Sequence, residues 1–259
     1  MINLKRVDYH LHSTFSDGEG SYKQIIDRAK KLGLYGIAIT DHFDAYDENK
    51  RTSSITEEEL FNHFDNIRYY GQKIGQRVLC GIETCTDFDG NLRLSEEVIK
   101  NADIIITSPH YVEYDGKLIQ GKFYDKDYWE RYKEKVINMA RGKGDILGHC
   151  EGYLPHEKLL IPNTTTFEQR QQLSMKIADR FFDNQYIERL IGALKESGKA
   201  VELHCITHTP REWVIEKLFE AKIPVSIGSD SHTLSQVGDI DWAINILNKY
   251  NAGYLQFIK

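Results

Sequence analysis

No apolar run in the 259 residues approaches the roughly 20 needed for a helix to cross a bilayer, so an integral membrane role is not expected. The four cysteines, Cys80, Cys85, Cys150 and Cys205, form no Cys-x-x-Cys pair. That removes a zinc finger and leaves buried free thiols in a reducing compartment as the expectation. There is no basic excess either. The net charge is −6, so a long nucleic-acid strand, which needs a basic stripe, is not an expected partner. No Gly-x-Ser-x-Gly elbow occurs, which argues against a serine nucleophile of that type. Linkers, low-complexity tracts and sequence repeats are absent. Met1 to Arg6 runs straight into the first apolar segment and leaves no room for a secretory signal, so a cytoplasmic protein is expected. At 41% hydrophobic and 28% charged residues, the chain has the make-up of a soluble domain with a sizeable core.

Seven apolar stretches are present, and each ends in a residue able to hold a metal. They are Val7 to His12, Gly36 to His42, Val78 to Glu83, Ile104 to His110, Asp145 to His149, Ala200 to His204 and Val225 to His232. Helical patterns lie between them: Ser21 to Gly33, Thr56 to about Gly75, Asp127 to Arg141, Asn184 to Gly198, Thr209-Pro210-Arg211-Glu212 onward, and one within Leu234 to Tyr250. Ser21 and Thr56-Glu57-Glu58-Glu59 read as helix caps, and Pro210 suits a first turn. Strands alternating with helices imply parallel βαβ units. The expected fold is α/β, a barrel whose strand ends converge on a polynuclear metal centre at its C-terminal face. Two insertions, Tyr111 to Lys126 and Glu151 to Thr166, follow histidine-ended strands and are expected to overhang that face and select the substrate.

Residues i and i+2 of a strand face the same way, so His10 and His12 can reach one metal. Asp17 lies in Ser16-Asp17-Gly18, where a turn folds it back. Burying the charged pair Asp41-His42 is costly without a partner, and a metal would supply one. Glu83 has no lysine or arginine after it before Arg93, so its charge calls for a cation; a helix cap is the plainer alternative. His110 and His149, each taken alone, would read as hydrogen-bonded core histidines. Asp230-Ser231-His232 repeats the i, i+2 geometry. His204, two residues after Glu202, faces the same side. It either meets phosphate or the leaving group, or orients a ligand from behind. His63 and His156 are expected on the surface and His208 at a helix entry. The tyrosines and Trp129 near residues 111 to 132 either stack on an aromatic substrate or pack in a helix core.

His10-Leu11-His12, Thr40-Asp41-His42, Gly81-Ile82-Glu83, Ser108-Pro109-His110, Gly148-His149 and Ser229-Asp230-Ser231-His232 resemble, in order, the motifs of the PHP family. That is the polymerase-and-histidinol-phosphatase superfamily of metal-dependent phosphoesterases. The resemblance covers nearly the whole chain and implies a single distorted (β/α)7 TIM-like barrel over residues 1–259. It implies that His10, His12, Glu83 and Asp230 hold one divalent ion. Glu83 would bridge to a second, held also by His110 and His149, while Asp17, His42 and His232 would hold a third. Two or three ions are expected, and this donor set suits zinc, manganese or iron.

The expected activity is hydrolysis of a small anionic phosphate monoester by metal-activated water, with histidinol phosphate as a candidate substrate. Glu83, Asp230 and His204 are the candidate catalytic residues. Free-standing histidinol phosphatases of this family place phosphate-holding arginines after the Gly-His and Glu-Ile-Asn motifs. Here Cys150 to Pro155 and Glu202 to Ile206 stand at those places and contain no arginine. Arg93, Arg170 and Arg211, together with His204, are therefore the candidate substrate-binding residues. The alternatives are a phosphodiesterase or exonuclease acting on nucleotides or short oligonucleotides, and a non-catalytic metal-binding regulatory barrel. The full complement of ligands speaks against the latter. A related amidohydrolase barrel would usually carry a lysine on a mid-barrel strand, and no predicted strand ends in one. Oligomeric state leaves no sequence signature.

Overall fold

The computed structural model describes residues 4–44, 55–114, 117–118, 126–152 and 166–259. Seven short strands, almost wholly buried, form one parallel sheet in chain order. They are β1 (Val7–Asp8), β2 (Gly36–Ile39), β3 (Val78–Thr84), β4 (Ile104–Thr107), β5 (Ile146–Leu147), β6 (Ala200–His204) and β7 (Val225–Gly228). Burial on both faces explains why they read as unbroken Val/Ile/Leu runs rather than as alternating patterns. The sheet closes on itself. Tyr9 N donates to Ile227 O at 2.9 Å, His12 N donates to Ser231 O at 3.0 Å, and Leu11 bridges Ser231 in parallel. The expected α/β barrel of seven parallel strands is what the chain forms.

Eight helices among the described residues cover the ring: α1 (Tyr22–Lys31), α2 (Glu57–Ile74), α3 (Glu96–Asn101), α4 (Lys126–Arg141), α5 (Phe167–Phe181), α6 (Asn184–Ser197), α7 (Glu212–Glu220) and α8 (Asp241–Lys249). Ser21 and Thr56 each cap a helix in a reciprocal capping box with Gln24 and Glu59. The left-handed Gly75 and Gly198 terminate α2 and α6. Val7, Ile37, Ile82 and Ile227 share one core cluster with Ile26 of α1 and Phe64 of α2. A second cluster, around Trp129, Tyr132 and Phe182, locks α4 to α5 and α6. Trp129 and Tyr132 are thus core residues and not an exposed stacking platform.

Two local features differ from the sequence reading. Pro210 precedes α7, which begins two residues later at Glu212. The last helix lies within the expected span, starting at Asp241 after turns in which Gly238 takes φ +80° and its N–H donates to Asp8 Oδ2 at 2.9 Å. The helices α3 and α5 were not foreseen; α5 carries its apolar residues thinly, among Gln169, Gln171 and Gln172. The two insertions lie largely outside the described residues, as does His156. Of the first, a small antiparallel ribbon pairs Glu113–Tyr114 with Lys117–Leu118.

Candidate metal centre

The strands deliver their polar ends to one point, and Glu83 of β3 is at its middle. Its Oε1 lies 2.9 Å from His149 Nε2 and 3.2 Å from His110 Nε2. Its Oε2 lies 3.1 Å from His42 Nδ1, 3.3 Å from His10 Nε2 and 3.4 Å from His12 Nε2. One buried carboxylate therefore meets five imidazoles, contributed by the ends of β1, β2, β4 and β5. Asp230, just past β7, faces two of these histidines, and His232, from across the ring. Its Oδ1 is 3.2 Å from His12 Nε2, 3.5 Å from His10 Nε2 and 3.7 Å from His232 Nδ1. The backbone of Asp230 is left-handed, with φ +51°. That is uncommon for a residue with a side chain and is a form of strain that gathers at functional sites.

Asp17 completes the set, folded back as its turn residues suggested. Its Oδ1 is 3.6 Å from His12 Nδ1, and its Oδ2 is 3.4 Å from His232 Nε2 and 3.6 Å from His42 Nε2. Gly18 permits this return: a Cβ there would sit 2.2 Å from the carbonyl oxygen of His12. Side-chain exposure divides the set. His10, His12, Glu83 and Asp230 are 0–4% exposed, whereas His42, His232 and Asp17 are 22%, 36% and 54% exposed. His10, His12, Glu83 and Asp230 are sealed, whereas Asp17, His42 and His232 keep contact with solvent, as does His110 at 26%.

The donor chemistry fits divalent cations. His12, Asp17, His42 and His232 offer ligand atoms all within 4.8 Å of one another, as do His10, His12 and Glu83, and His42, Glu83 and His110. Both nitrogens of His12 and Nε2 of His10 are buried and approach carboxylates without reaching hydrogen-bond geometry. Protons alone neutralise this cluster poorly. Burial would drive the Glu83 carboxyl up, but His10, His110 and His42 hold it well below the usual range. Asp230 behaves likewise through His10, His12 and His204. Among the imidazoles, burial pushes His12 down and His110 down to about 4. Against the same burial, Glu202, Glu83 and Asp230 raise His10 well above its ordinary value. His42 and His149 are raised by Glu83, and His232 reaches about 9 through Asp17 and Asp230. Ionised carboxylates facing histidines that cannot all be protonated call for a more concentrated positive charge.

Proton release on metal uptake follows with a definite sign. His232 is raised to about 9, and His10, His42 and His149 are raised as well by the carboxylates they face, and a metal ligand must give its proton up. Metal affinity is expected to weaken as pH falls from 8 to 6, with protons released on binding. Calorimetry in buffers of different ionisation enthalpy would read the release; identical heats in all buffers would contradict it.

Glu202 on β6 escaped the sequence reading. Its Oε1 accepts from His10 Nδ1 at 2.6 Å and its Oε2 from the backbone N–H of His149 at 2.8 Å. Gly228 leaves room for it, since a Cβ there would lie 2.2 Å from Glu202 Oε1. By occupying Nδ1, Glu202 turns the Nε2 lone pair of His10 toward Glu83 and Asp230. The available signal was strand alternation, because Glu202 shares a face with His204. His204 itself is fully buried. Its Nε2 lies 3.1 Å from Asp230 Oδ2 and its Nδ1 bonds Thr207 Oγ1, so it reaches the centre through Asp230.

The arginines divide. Arg211, expected to hold phosphate, instead commits its guanidinium within the fold. Its Nε and Nη2 donate to Glu151 at 3.2 and 2.9 Å, Nη1 to Asp179 at 2.9 Å and Nη2 to Phe182 O at 2.7 Å. Glu151 is 2% exposed. Arg211→Leu would therefore strand a buried carboxylate and is expected to cost about 3–5 kcal/mol of stability. A denaturant midpoint that does not move would contradict this. Arg93 lies over the ring of Tyr111, the neighbour of His110, at 5.4 Å, with Asp44 3.9 Å away. Arg170 belongs to α5, and its side chain is outside what the structure describes. His63 is not a surface residue: it is buried against Phe15. His208 is exposed and stacks on Trp242 at 5.2 Å.

The chain matches the family model described as the PHP domain over residues 8–204. It is 27% identical over 259 residues to the "Probable histidinol-phosphatase" of Thermotoga maritima, covering 96% of this chain and 94% of that one. It is 25% identical over 256 residues to a "Probable phosphatase" of Acetivibrio thermocellus, covering 94% and 86%. Among solved structures it resembles the histidinol phosphate phosphatase of Lactococcus lactis, crystallised with zinc, L-histidinol and phosphate. The TM-score is 0.63 at 19% identity, over 95% of this chain and 94% of that one. At that identity the likeness speaks for the fold alone.

Proposed function

The chain belongs to the PHP domain family, and from that premise we propose that it is a metal-dependent hydrolase of small phosphate monoesters. The observation that carries this reading is the Glu83 carboxylate, with five imidazole nitrogens 2.9–3.4 Å from its oxygens. In this reading His10, His12, Glu83 and Asp230 hold one ion, Glu83, His110 and His149 a second, and Asp17, His42 and His232 a third. Glu83 is common to the first two. Closure of the ring by residues near both ends of the chain supports treating 1–259 as one domain.

Bound divalent ions supply an activated water at neutral pH and neutralise charge on phosphoryl oxygens. Several of the chain's own hydroxyls and thiols at the strand ends are engaged in the fold or held protonated. Ser13 Oγ donates to Asp41 at 2.8 Å and Ser231 Oγ to Thr233 O at 2.7 Å, so both hydroxyls are engaged by neighbouring groups of the fold. Burial pushes the thiol of Cys80 up to about 12 and raises those of Cys150 and Cys205 too, which keeps them protonated. His204 anchors Asp230, and Glu202 anchors His10 and His149. The solvent-facing group of Asp17, His42 and His232 receives the substrate. Arg93 is the candidate arginine beside it, through Tyr111.

Histidinol phosphate is the first substrate to try, because the T. maritima relative bearing that activity in its name matches along 94% of its length. The test is a phosphatase screen over a metabolite panel with added manganese, zinc or iron. Turnover of phosphate monoesters supports the reading. Turnover confined to diesters or oligonucleotides would replace it with the phosphodiesterase alternative, and no turnover at full metal load would favour a binding role.

A further inference from the structure

Asp41 stands beside the candidate ligand His42 but is itself occupied elsewhere. Its Oδ1 accepts from Ser13 N at 2.7 Å and from Ser16 Oγ at 2.7 Å. Its Oδ2 accepts from Ser13 Oγ at 2.8 Å and from His63 Nε2 at 2.9 Å. A carboxylate offers about four lone-pair sites, and here all are filled. A metal is therefore not what satisfies Asp41, contrary to the sequence expectation. The Ser13 N–H and the hydroxyls of Ser13 and Ser16 take three of these sites as donors, and His63 Nε2 faces the fourth. His63 must then donate through Nε2.

The donors have a purpose in the chain. Ser13 follows His12 and Ser16 precedes Asp17, so Asp41 pins the stretch of the loop that leads into Asp17. His63 comes from α2, on the buried stripe with Leu60, Phe64 and Ile67. It is held in register by Phe15, whose ring stacks on it at 4.0 Å and 3°, and by the edge of Tyr22 at 5.7 Å. Phe15 belongs to the same loop. Asp17 is the most exposed of the candidate ligands, with contacts of 3.4–3.6 Å to its histidines. It has no strand of its own to fix it.

We infer that His63 and Asp41 form a positioning pair that presets the Asp17 loop, and through it the outer ion-binding group of Asp17, His42 and His232. The inference rests on the metal-centre reading above. Neither His63 nor Asp41 touches the ion; Asp17 is the one candidate ligand carried by a loop rather than by a strand end, so their effect falls on the outer group. Losing an orienting partner typically costs about 10–100-fold in metal affinity.

The test is manganese titration of the metal-free full chain, by calorimetry with elemental analysis, for wild type, His63→Phe and His63→Gln. Phenylalanine keeps the ring on Phe15 and removes the donor; glutamine restores an N–H near the position of Nε2. His63→Phe is expected to weaken the last-filled ion about 10–100-fold while the inner ions bind as in wild type, and His63→Gln to recover most of the loss. Equal uptake by His63→Phe and wild type would overturn the inference, as would loss of every ion alike in both variants. Wild type that takes up no ion would instead overturn the metal-centre reading beneath it.

Discussion

Glu83→Gln is expected to lower kcat/KM by more than about 10³-fold and to release metal, a larger loss than any single histidine substitution produces. The amide keeps the shape of the side chain and removes the charge. In the structure that charge faces five imidazole nitrogens across both oxygens. An amide has one oxygen, and its NH₂ would point a donor at a ligand position. A histidine such as His110 serves one group, whereas Glu83 lies between two. Metal-assisted charge stabilisation is worth several kcal/mol, and each 1.36 kcal/mol is about tenfold in rate. Steady-state kinetics paired with elemental analysis decides the matter. Near-normal turnover at full metal occupancy would remove Glu83 from the shared position.

Stripping metal with a strong chelator is expected to abolish turnover, and adding back two or three equivalents of manganese, zinc or iron to restore it. The candidate ligands come from strand ends all around the ring, too many for one ion. The stripped protein would retain clustered carboxylates held only by partly protonated histidines, so its unfolding midpoint should drop and recover with metal. Stabilisation grows as RT ln(1 + [L]/Kd), about 2.7 kcal/mol at a ligand concentration 100 times Kd. Elemental analysis that finds one ion or none after reconstitution, or full activity in the stripped protein, would sink the polynuclear reading.

Much of the ring was legible because parallel strands buried on both faces are apolar for their whole length. A histidine or carboxylate at the end of such a run stands out against it. Strand alternation correctly put His10 and His12 on one side, and Gly18 marked the turn that returns Asp17. The supporting residues were less visible, for a physical reason: their partners lie far along the chain. Glu202 meets His10 across 192 positions, and nothing local announces that pairing. His63 was misread as a surface residue although Leu60, His63, Phe64 and Ile67 follow helical spacing. The polar residue on that stripe was a signal of a buried partner. Arg211 was misassigned because arginine type alone does not distinguish a phosphate clamp from a mate for Glu151.

The seam between β1 and β7 has a kinetic meaning. His10 and Ser231, joined there by a 3.3 Å backbone hydrogen bond, are separated by nearly the length of the chain. Closing so long a loop carries an entropic cost that precedes any gain from the contacts it makes, and contacts so distant in sequence form slowly. During synthesis the first histidines emerge long before Asp230 and His232 exist to meet them. A ribosome-bound chain halted before Val225 would hold six strands and an incomplete set of ligands. Closure of the ring is thus a late event, and the same event brings Asp230 and His232 up to His10 and His12.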